Sequence, residues 1–188
     1  MLRLVLCAVV SLLTIASASA APARWTVDPA KSSLEFAVVV EGAVVKGKFK
    51  AFGSLIAFST DDLAHSSARI TIPMDEAKTG LVERDAMLLK PAWFNILDFP
   101  QAVFQTTSFT HKGGNKYEAA AKLTLKGVSK DITLPFTLDI TGDTAVMKGE
   151  TVLKRLAFGV GLGPDFATGT SVALDVKVMV NVTAKRAK

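Results

Sequence analysis

The sequence predicts an all-β fold, a single antiparallel β-barrel of about eight strands with one short helix near its mouth. Three observations carry this expectation. Apolar and polar residues alternate with period two in run after run, and glycine-centred turn signals separate the runs at hairpin spacing. Several runs also reach twelve residues or more, longer than the strands of a small sandwich.

The first clear run, Ser33 to Val40, sets Leu34, Phe36, Val38 and Val40 against Ser33, Glu35, Ala37 and Val39. Val44 to Phe58 and Ser67 to Ile72 are weaker runs of the same kind. Asp75 to Gly80 reads as a polar connection, and Leu81 to Lys90, carrying Leu81, Met87, Leu88 and Leu89 and stopped by Pro91, reads as the helix. Val103 to Thr110 leads through Gly113-Gly114-Asn115 into Tyr117 to Lys126, with Tyr117, Ala119, Ala121, Leu123 and Leu125 on one face. After Lys126-Gly127-Val128 comes the clearest strand, Lys130 to Thr141, where Ile132, Leu134, Phe136, Leu138 and Ile140 alternate with Asp131, Thr133, Pro135, Thr137 and Asp139. Pro135 has no N–H to give a neighbour, so an edge, a bulge or a kink is expected there. Gly142-Asp143 turns the chain into Ala145 to Ala157, and the last run, Ser171 to Ala184, places Val172, Leu174, Val176, Val178, Val180 and Val182 on one face. One-sided strands of this length bury their apolar faces by closing on themselves. A barrel of about eight strands is either just filled by side chains or wide enough for one small ligand.

The first twenty residues stand apart. Arg3, the apolar run Leu4 to Ile15 and the small residues Ala18-Ser19-Ala20 form the pattern of a secretory signal peptide. The apolar run falls well short of the roughly twenty residues of a spanning helix. The expected organisation is therefore an export signal over 1–20 and one domain over 21–188. Cys7 is the sole cysteine of the chain, so the domain carries no disulfide, thiolate nucleophile or Cys-ligated metal. The chain has 22 Lys+Arg against 17 Asp+Glu, and its basic residues form no run except the tail Lys185-Arg186-Ala187-Lys188. That balance does not point to nucleic acid.

Catalytic constellations are thin. His65 and His111 are the two histidines, each in a turn region without a second ligand at metal spacing, and both read as solvated surface residues. No G-x-S-x-G elbow occurs. Asp28, Glu35, Asp75, Glu83, Asp85, Asp98 and Asp165 fall in turns or on polar faces, where caps and surface charge explain them better than a glycosidase pair. Glu83-Arg84-Asp85 opens the helix and serves its dipole or, buried at the mouth, faces a ligand. The glycines of Phe158-Gly159-Val160-Gly161-Leu162-Gly163 lack the strand-loop-helix context of a phosphate loop and read as a glycine-rich strand end or loop. No catalytic residue and no metal ligand is assigned, and the protein is not expected to be an enzyme. A hydrolase would need a buried carboxylate pair or a His-centred network.

The aromatic residues between Phe36 and Phe109 are the outstanding feature. Phe36, Phe49, Phe52, Phe58, Trp93, Phe94, Phe99, Phe104 and Phe109 are more than a narrow barrel holds beside its aliphatic residues, which is how a hydrophobic carrier is built. The candidate ligand-binding residues are Phe36, Val38, Phe49, Leu88, Trp93, Phe94, Phe104, Leu123, Phe136 and Leu138. Arg84 and Asp85 are candidates for anchoring the helix or meeting a headgroup. A bulge between Phe49 and Phe52 would change which face lies inside.

Four stretches, in order along the domain, resemble one family. They are Trp25-Thr26-Val27-Asp28-Pro29 with Ser32-Ser33-Leu34-Glu35-Phe36 and Val45-Lys46-Gly47-Lys48-Phe49; Glu83-Arg84-Asp85 through Trp93-Phe94-Asn95 to Phe99-Pro100-Gln101-Ala102-Val103-Phe104; Leu123 to Ser129 with Ile132-Thr133-Leu134; and Arg155 to Gly161. The combination is similar to the YceI-like proteins of the bacterial periplasm. The resemblance implies a lipocalin-like barrel that holds a polyisoprenoid, an isoprenoid quinone or a fatty amide, with no other cofactor, and a periplasmic location. It also implies an apolar lipid as partner, with transient contact with a membrane or membrane protein for delivery. An accessory of membrane electron transfer, the same barrel holding a quinone, is the alternative, and an edge-to-edge homodimer is open to such a sheet. The chain departs from the family pattern at Lys31, Met87 and Ala157, where a histidine, another histidine and an acidic residue are common. The departures bear on the headgroup more than on the fold.

Overall fold

A computed structural model describes residues 21–188; the expected export signal at 1–20 lies outside them. Eleven strands form one sheet: β1 (Arg24–Val27), β2 (Ser33–Val40), β3 (Ala43–Phe49), β4 (Gly53–Ala57), β5 (Ser67–Pro73), β6 (Ala77–Lys78), β7 (Gln101–His111), β8 (Lys116–Leu125), β9 (Val128–Thr141), β10 (Thr144–Lys154) and β11 (Val172–Arg186). The one α-helix among the described residues, α1, spans Val82–Leu88.

Eleven strands make eight wall positions because three of the walls are kinked. β1 and β2 both pair with β11, through Val27↔Ala184 and Ser33↔Asn181, and so form one broken strand. β3 and β4 form a second, pairing with β2 and β1 respectively. β5 and β6 form a third, joined by a 3-10 turn at Met74–Glu76. The sheet order then runs through β7, β8, β9 and β10 to β11, and the β1–β11 pairing closes the cylinder. The backbone bonds lost at the first kink are replaced by local ones. Asp28 N donates to Thr183 O (2.8 Å), Thr183 N to Ser32 Oγ (3.0 Å), and Ser32 Oγ to Asp28 O (2.7 Å).

The expected eight-stranded antiparallel barrel with one short helix is the observed fold, with corrections in detail. Val44 to Phe58 is two strands, parted at residues 50–52, where the inward side passes from Phe49 to Phe52 as a bulge there would require. Asp75 to Gly80, read as a polar connection, is exposed at both ends but carries the end of a 3-10 turn and the two-residue strand β6. The 3-10 turn beginning at Met74 buries that residue, and Ala77, in the two-residue strand, is fully buried. Ala145 to Ala157 ends as a strand at Lys154 and continues as a 3-10 turn, Arg155–Phe158. The helix is shorter than Leu81 to Lys90, and of its apolar residues only Leu88 is buried, with Leu81 and Met87 exposed. Leu174 does not join the inner face of β11, because the register shifts between Val172 and Val176 and turns it outward onto Gly169. The β9–β10 ladder runs from Thr141↔Thr144 to Phe136↔Gly149 and stops at Pro135, so the proline marks the point where two neighbouring walls part company.

The two ends differ. Connections 58–66, 112–115 and 142–143 lie at the far end, where Phe58 stacks edge-on against Phe109 (5.1 Å) and Tyr117 (6.0 Å), and Tyr117 lies against Phe136 (5.6 Å). The opposite end carries two long crossovers, 79–100 and 155–171, which together form a cap. Gly161 N and Leu162 N both donate to Ala92 O (2.8 and 3.0 Å), and the Trp93 and Phe166 rings meet at 5.2 Å, so the two crossovers hold each other.

Candidate functional site

Inward side chains from every wall surround a cavity of about 300 Å³. Its lining reaches from Trp25, Phe58 and Ala184 at the far end to Leu88, Trp93, Phe94 and Val172 under the cap. Val172 and Ala184 lie twelve residues apart on β11, roughly 40 Å of extended strand and less along the axis of a tilted barrel. A cavity that long and that small in volume is a narrow tunnel, shaped for an extended chain.

All ten candidate residues, Phe36, Val38, Phe49, Leu88, Trp93, Phe94, Phe104, Leu123, Phe136 and Leu138, stand on the tunnel wall. Their placement follows from strand alternation: Leu34, Phe36 and Val38 project inward from β2, and Ile132 through Ile140 do so from β9. On β7 a register shift between Thr106 and Ser108 changes the inward set from Ala102, Phe104 and Thr106 to Phe109. The core falls into two clusters, one under the cap and one at the far end, and Phe104 packs against both. Of the aromatic residues singled out between Phe36 and Phe109, Phe99 is not on the wall; its ring lies against Gly127 in the β8–β9 hairpin.

Three polar side chains reach the tunnel lining, and each is occupied. Thr106 Oγ1 accepts from Ala68 N (2.8 Å), and Thr151 Oγ1 donates to Thr133 O (3.0 Å). Arg155 is buried at 4% exposure with no carboxylate beside it. Its guanidinium has five N–H groups, and five carbonyls receive them. Nε donates to Ala173 O (2.9 Å), one terminal nitrogen to Val160 O and Gly161 O (both 3.0 Å), and the other to Val172 O (2.8 Å) and Phe166 O. Burial pushes its pKa down, yet an arginine so bonded stays charged. Arg155 is thus the keystone of the second crossover and lies over the Trp93 ring at 5.8 Å. Its role was hidden in the sequence, where Arg155 stood only as the start of a glycine-rich stretch that is one of the four family-like stretches. Lys126, also pushed down by burial, donates to Gly159 O (2.6 Å) and ties the β8–β9 hairpin to the cap.

Trp93 is the exception to this completeness. It is 8% exposed, and its Nε1 is the one buried side-chain polar atom among the described residues with no partner. Trp25, in contrast, donates its Nε1 to Phe58 O (3.0 Å).

The two headgroup candidates separate. Asp85 Oδ1 accepts from the Thr79 amide (2.7 Å) and hydroxyl (2.6 Å), which fastens the helix to the end of β6. Burial raises its pKa, but the two Thr79 bonds, helped by Lys78 and Arg84, outweigh that and hold the carboxyl below its ordinary value. Asp85 is therefore the helix anchor. Arg84 is half-buried beside it and Glu83 is exposed, and none of the triplet lines the tunnel. His65 pairs with Asp62 (2.8 Å) and His111 with Gly114 O (2.8 Å), both at the surface. Among the described residues no three His, Cys, Asp or Glu side chains gather as metal ligands would.

A closed eight-stranded barrel around an apolar tunnel, capped at one end, defines a binding protein of the lipocalin-like kind. The model of the YceI-like domain matches residues 25–184, and the chain belongs to that family. Protein YceI of Salmonella arizonae is 31% identical over 126 residues, 63% of this chain, and the same values hold for its counterpart in Salmonella newport. The chain spans 65% of the length of these curated relatives. Among solved structures, BcnA of Burkholderia cenocepacia superposes with a TM-score of 0.81 at 31% identity, covering 85% of this chain and all of that one. A polyisoprenoid binding domain from Saccharophagus degradans, at 13% identity and a TM-score of 0.69 over 88% of this chain and 99% of its own, shares the fold.

Proposed function

We propose that this protein is a periplasmic carrier that holds a long-chain apolar lipid, of the polyisoprenoid, isoprenoid quinone or fatty amide class, in its barrel and performs no chemical step on it. The observation that carries this reading is the tunnel itself, walled by apolar side chains from Trp25 to Phe94 and offering no free titratable group. The Saccharophagus neighbour is described as a polyisoprenoid binding domain, and the reading extends that ligand class to this chain.

Energetics favour hand-over by contact. Burying some twenty methylene equivalents at roughly 0.8 kcal/mol each gives a gross gain of about 16 kcal/mol. Ordering the chain and the wall offsets part of it. A lipid so held leaves slowly into water, so loading and release occur against a membrane or a membrane protein. The exposed Leu81, Val82 and Leu97 on the first crossover supply an apolar surface at the cap for that encounter. A homodimer would form along the outer edge of β3, whose residues 43–47 have no ladder partner on that side.

Organic extraction of the purified protein followed by mass spectrometry tests the reading, together with titration of delipidated protein with prenyl lipids. A bound polyisoprenoid-type lipid is the expected result. An extract free of lipid combined with no binding of the added lipids would refute it.

A further inference from the structure

The wall between β9 and β10 is incomplete. Their ladder ends at Phe136↔Gly149, whereas β9 stays paired with β8 as far as Val128↔Leu125 and β10 with β11 as far as Lys154↔Asp175. At the point of parting the walls are tight, since a Cβ on Gly149 would stand 3.0 Å from Pro135 O. Pro135 is the cause of the parting. The amide and carbonyl of one residue point to the same side of a strand, and that side alternates along the chain. The Thr133 carbonyl faces β10, so Pro135, two residues on, turns toward β10 a nitrogen without a hydrogen. Past it, the connection between the two walls is a side-chain bond, from Thr151 Oγ1 to Thr133 O (3.0 Å). The 3-10 turn Arg155–Phe158 forms the third side and is tied to the β8–β9 hairpin by Lys126 Nζ on Gly159 O (2.6 Å). The result is a triangular window in the barrel, plugged by side chains. Ile132, Thr151 and Leu153 face the tunnel, while Thr133 and Val152, which is 55% exposed, stand outside.

We propose that this window is the door by which lipid enters and leaves the tunnel, the chain passing sideways between β9 and β10 while the cap stays shut. This rests on the carrier reading and adds the route. The possible routes differ in what each must break. Lifting the cap strips Arg155 of its five carbonyls and pulls the Gly161 and Leu162 amides from Ala92 O. Opening the far end frees Trp25 Nε1 from Phe58 O, lifts Arg186 from the Trp25 ring (4.9 Å) and parts the Phe58, Phe109 and Tyr117 rings. The window gives up one hydroxyl–carbonyl bond, and water can replace both partners as it opens. Its two walls keep their ladders to β8 and β11 throughout. Val152 on the outer lip and Leu153 and Ile132 within offer hydrocarbon a continuous apolar path. The wide side of the window adjoins the second crossover, so a membrane met at the cap end lies beside the opening.

Retinol, a fluorescent isoprenoid, is the probe, and energy transfer from Trp25 and Trp93, both on the tunnel wall, reports its arrival. The β9–β10 register, continued past its end, sets Thr133 opposite Val152; neither lines the tunnel, and the domain has no cysteine of its own. In Thr133→Cys/Val152→Cys the thiols are joined by a disulfide or, over a gap too wide for one, by a short bis-methanethiosulfonate, both undone by dithiothreitol. Joining them is expected to slow loading and release of retinol by about tenfold or more with affinity within about twofold, and reduction restores both rates. Ala92→Cys/Leu162→Cys, joined in the same way, ties the two crossovers together and leaves the rates as they are. Thr151→Val removes the bridging hydroxyl at nearly constant shape and speeds both rates by about three- to tenfold. Equal rates in the joined and reduced Thr133–Val152 protein, slowing by the Ala92–Leu162 link instead, or unchanged rates in Thr151→Val overturns the inference and leaves the carrier reading standing. Failure of both retinol and squalene to bind the delipidated, unmutated protein overturns both. Where the cysteine pair does not fold, the rates of Thr151→Val decide the matter.

Discussion

The ring of Phe36 on β2 lies directly over the Cα of Gly47, its partner on β3. A Cβ at position 47 would stand 2.7 Å from both Cε atoms of the ring, closer than atoms pack. The ring borders the tunnel and also meets Phe49 at 5.6 Å, so it is held between its neighbour and the bare glycine backbone. Gly47→Ala is expected to drive Phe36 into the tunnel, costing roughly 1–3 kcal/mol of stability as overpacking does and weakening lipid binding. Adding Phe36→Leu, which vacates the space, restores much of the stability. A double-mutant cycle by thermal denaturation checks the coupling, and additive losses would contradict it.

That pair also shows what could be read from the chain alone. The inward face of β2 follows from alternation, as do the faces of β8 and β9, because side chains on a strand change sides at every residue and one side meets the tunnel. Alternation fails where the register slips. Leu174 and the switch from Thr106 to Phe109 depend on bulges that pairing with a distant strand decides. The short β1 carried too few residues to show a period, although Trp25 on it is a core residue. The cap was least legible. Arg155 and Trp93 are more than sixty residues apart, and what holds Arg155 is backbone carbonyls, which leave no mark on the pattern of side chains.

Arg155 organises the cap through donors, so its replacement tests donor number apart from charge. Arg155→Met strands several buried carbonyls and is expected to cost more than about 3 kcal/mol. Arg155→Lys keeps the charge yet supplies at most three N–H groups from a single nitrogen, and it is expected to rescue only a minor part. Chemical denaturation measures both variants, and hydrogen exchange should show the loss concentrated in residues 155–171. Full rescue by lysine would mean that charge, not the fork of donors, is what the site requires.

Asp85 makes the first crossover sensitive to acid. Its folded-state pKa is below the ordinary value of 3.8, burial being outweighed by the Thr79 bonds and the Lys78 and Arg84 charges. A depressed carboxylate contributes stability that is complete above the unfolded value and is lost as pH falls through the folded one. Amides of residues 79–90 are therefore expected to keep their protection at neutral pH and to lose it below about pH 4, the unfolded value of a carboxyl group. Asp85→Asn, which cannot be protonated, should remove the acid-dependent step while lowering protection by about 1 kcal/mol at neutral pH. Exchange rates across this segment that do not change between neutral and acid pH in the unmutated protein would argue against the anchor.

The small residues of β8 leave the tunnel its width. Ala119 and Ala121 are each 2% exposed, and Ala119 lines the tunnel, opposite Leu134 and at the level of Phe109. Ala119→Phe would fill the tunnel at that height. If the tail of a lipid runs past it toward Trp25, the variant should lose long ligands while retaining short ones that end near the cap, at a stability cost of about 1–3 kcal/mol for overpacking. Titrating the variant with a graded series of chain lengths reads this directly. Affinity should rise by about 0.8 kcal/mol per buried methylene up to the block and then stop, where the unmutated protein continues. A series that climbs equally in both proteins would place the tail elsewhere than in the lower half of the barrel.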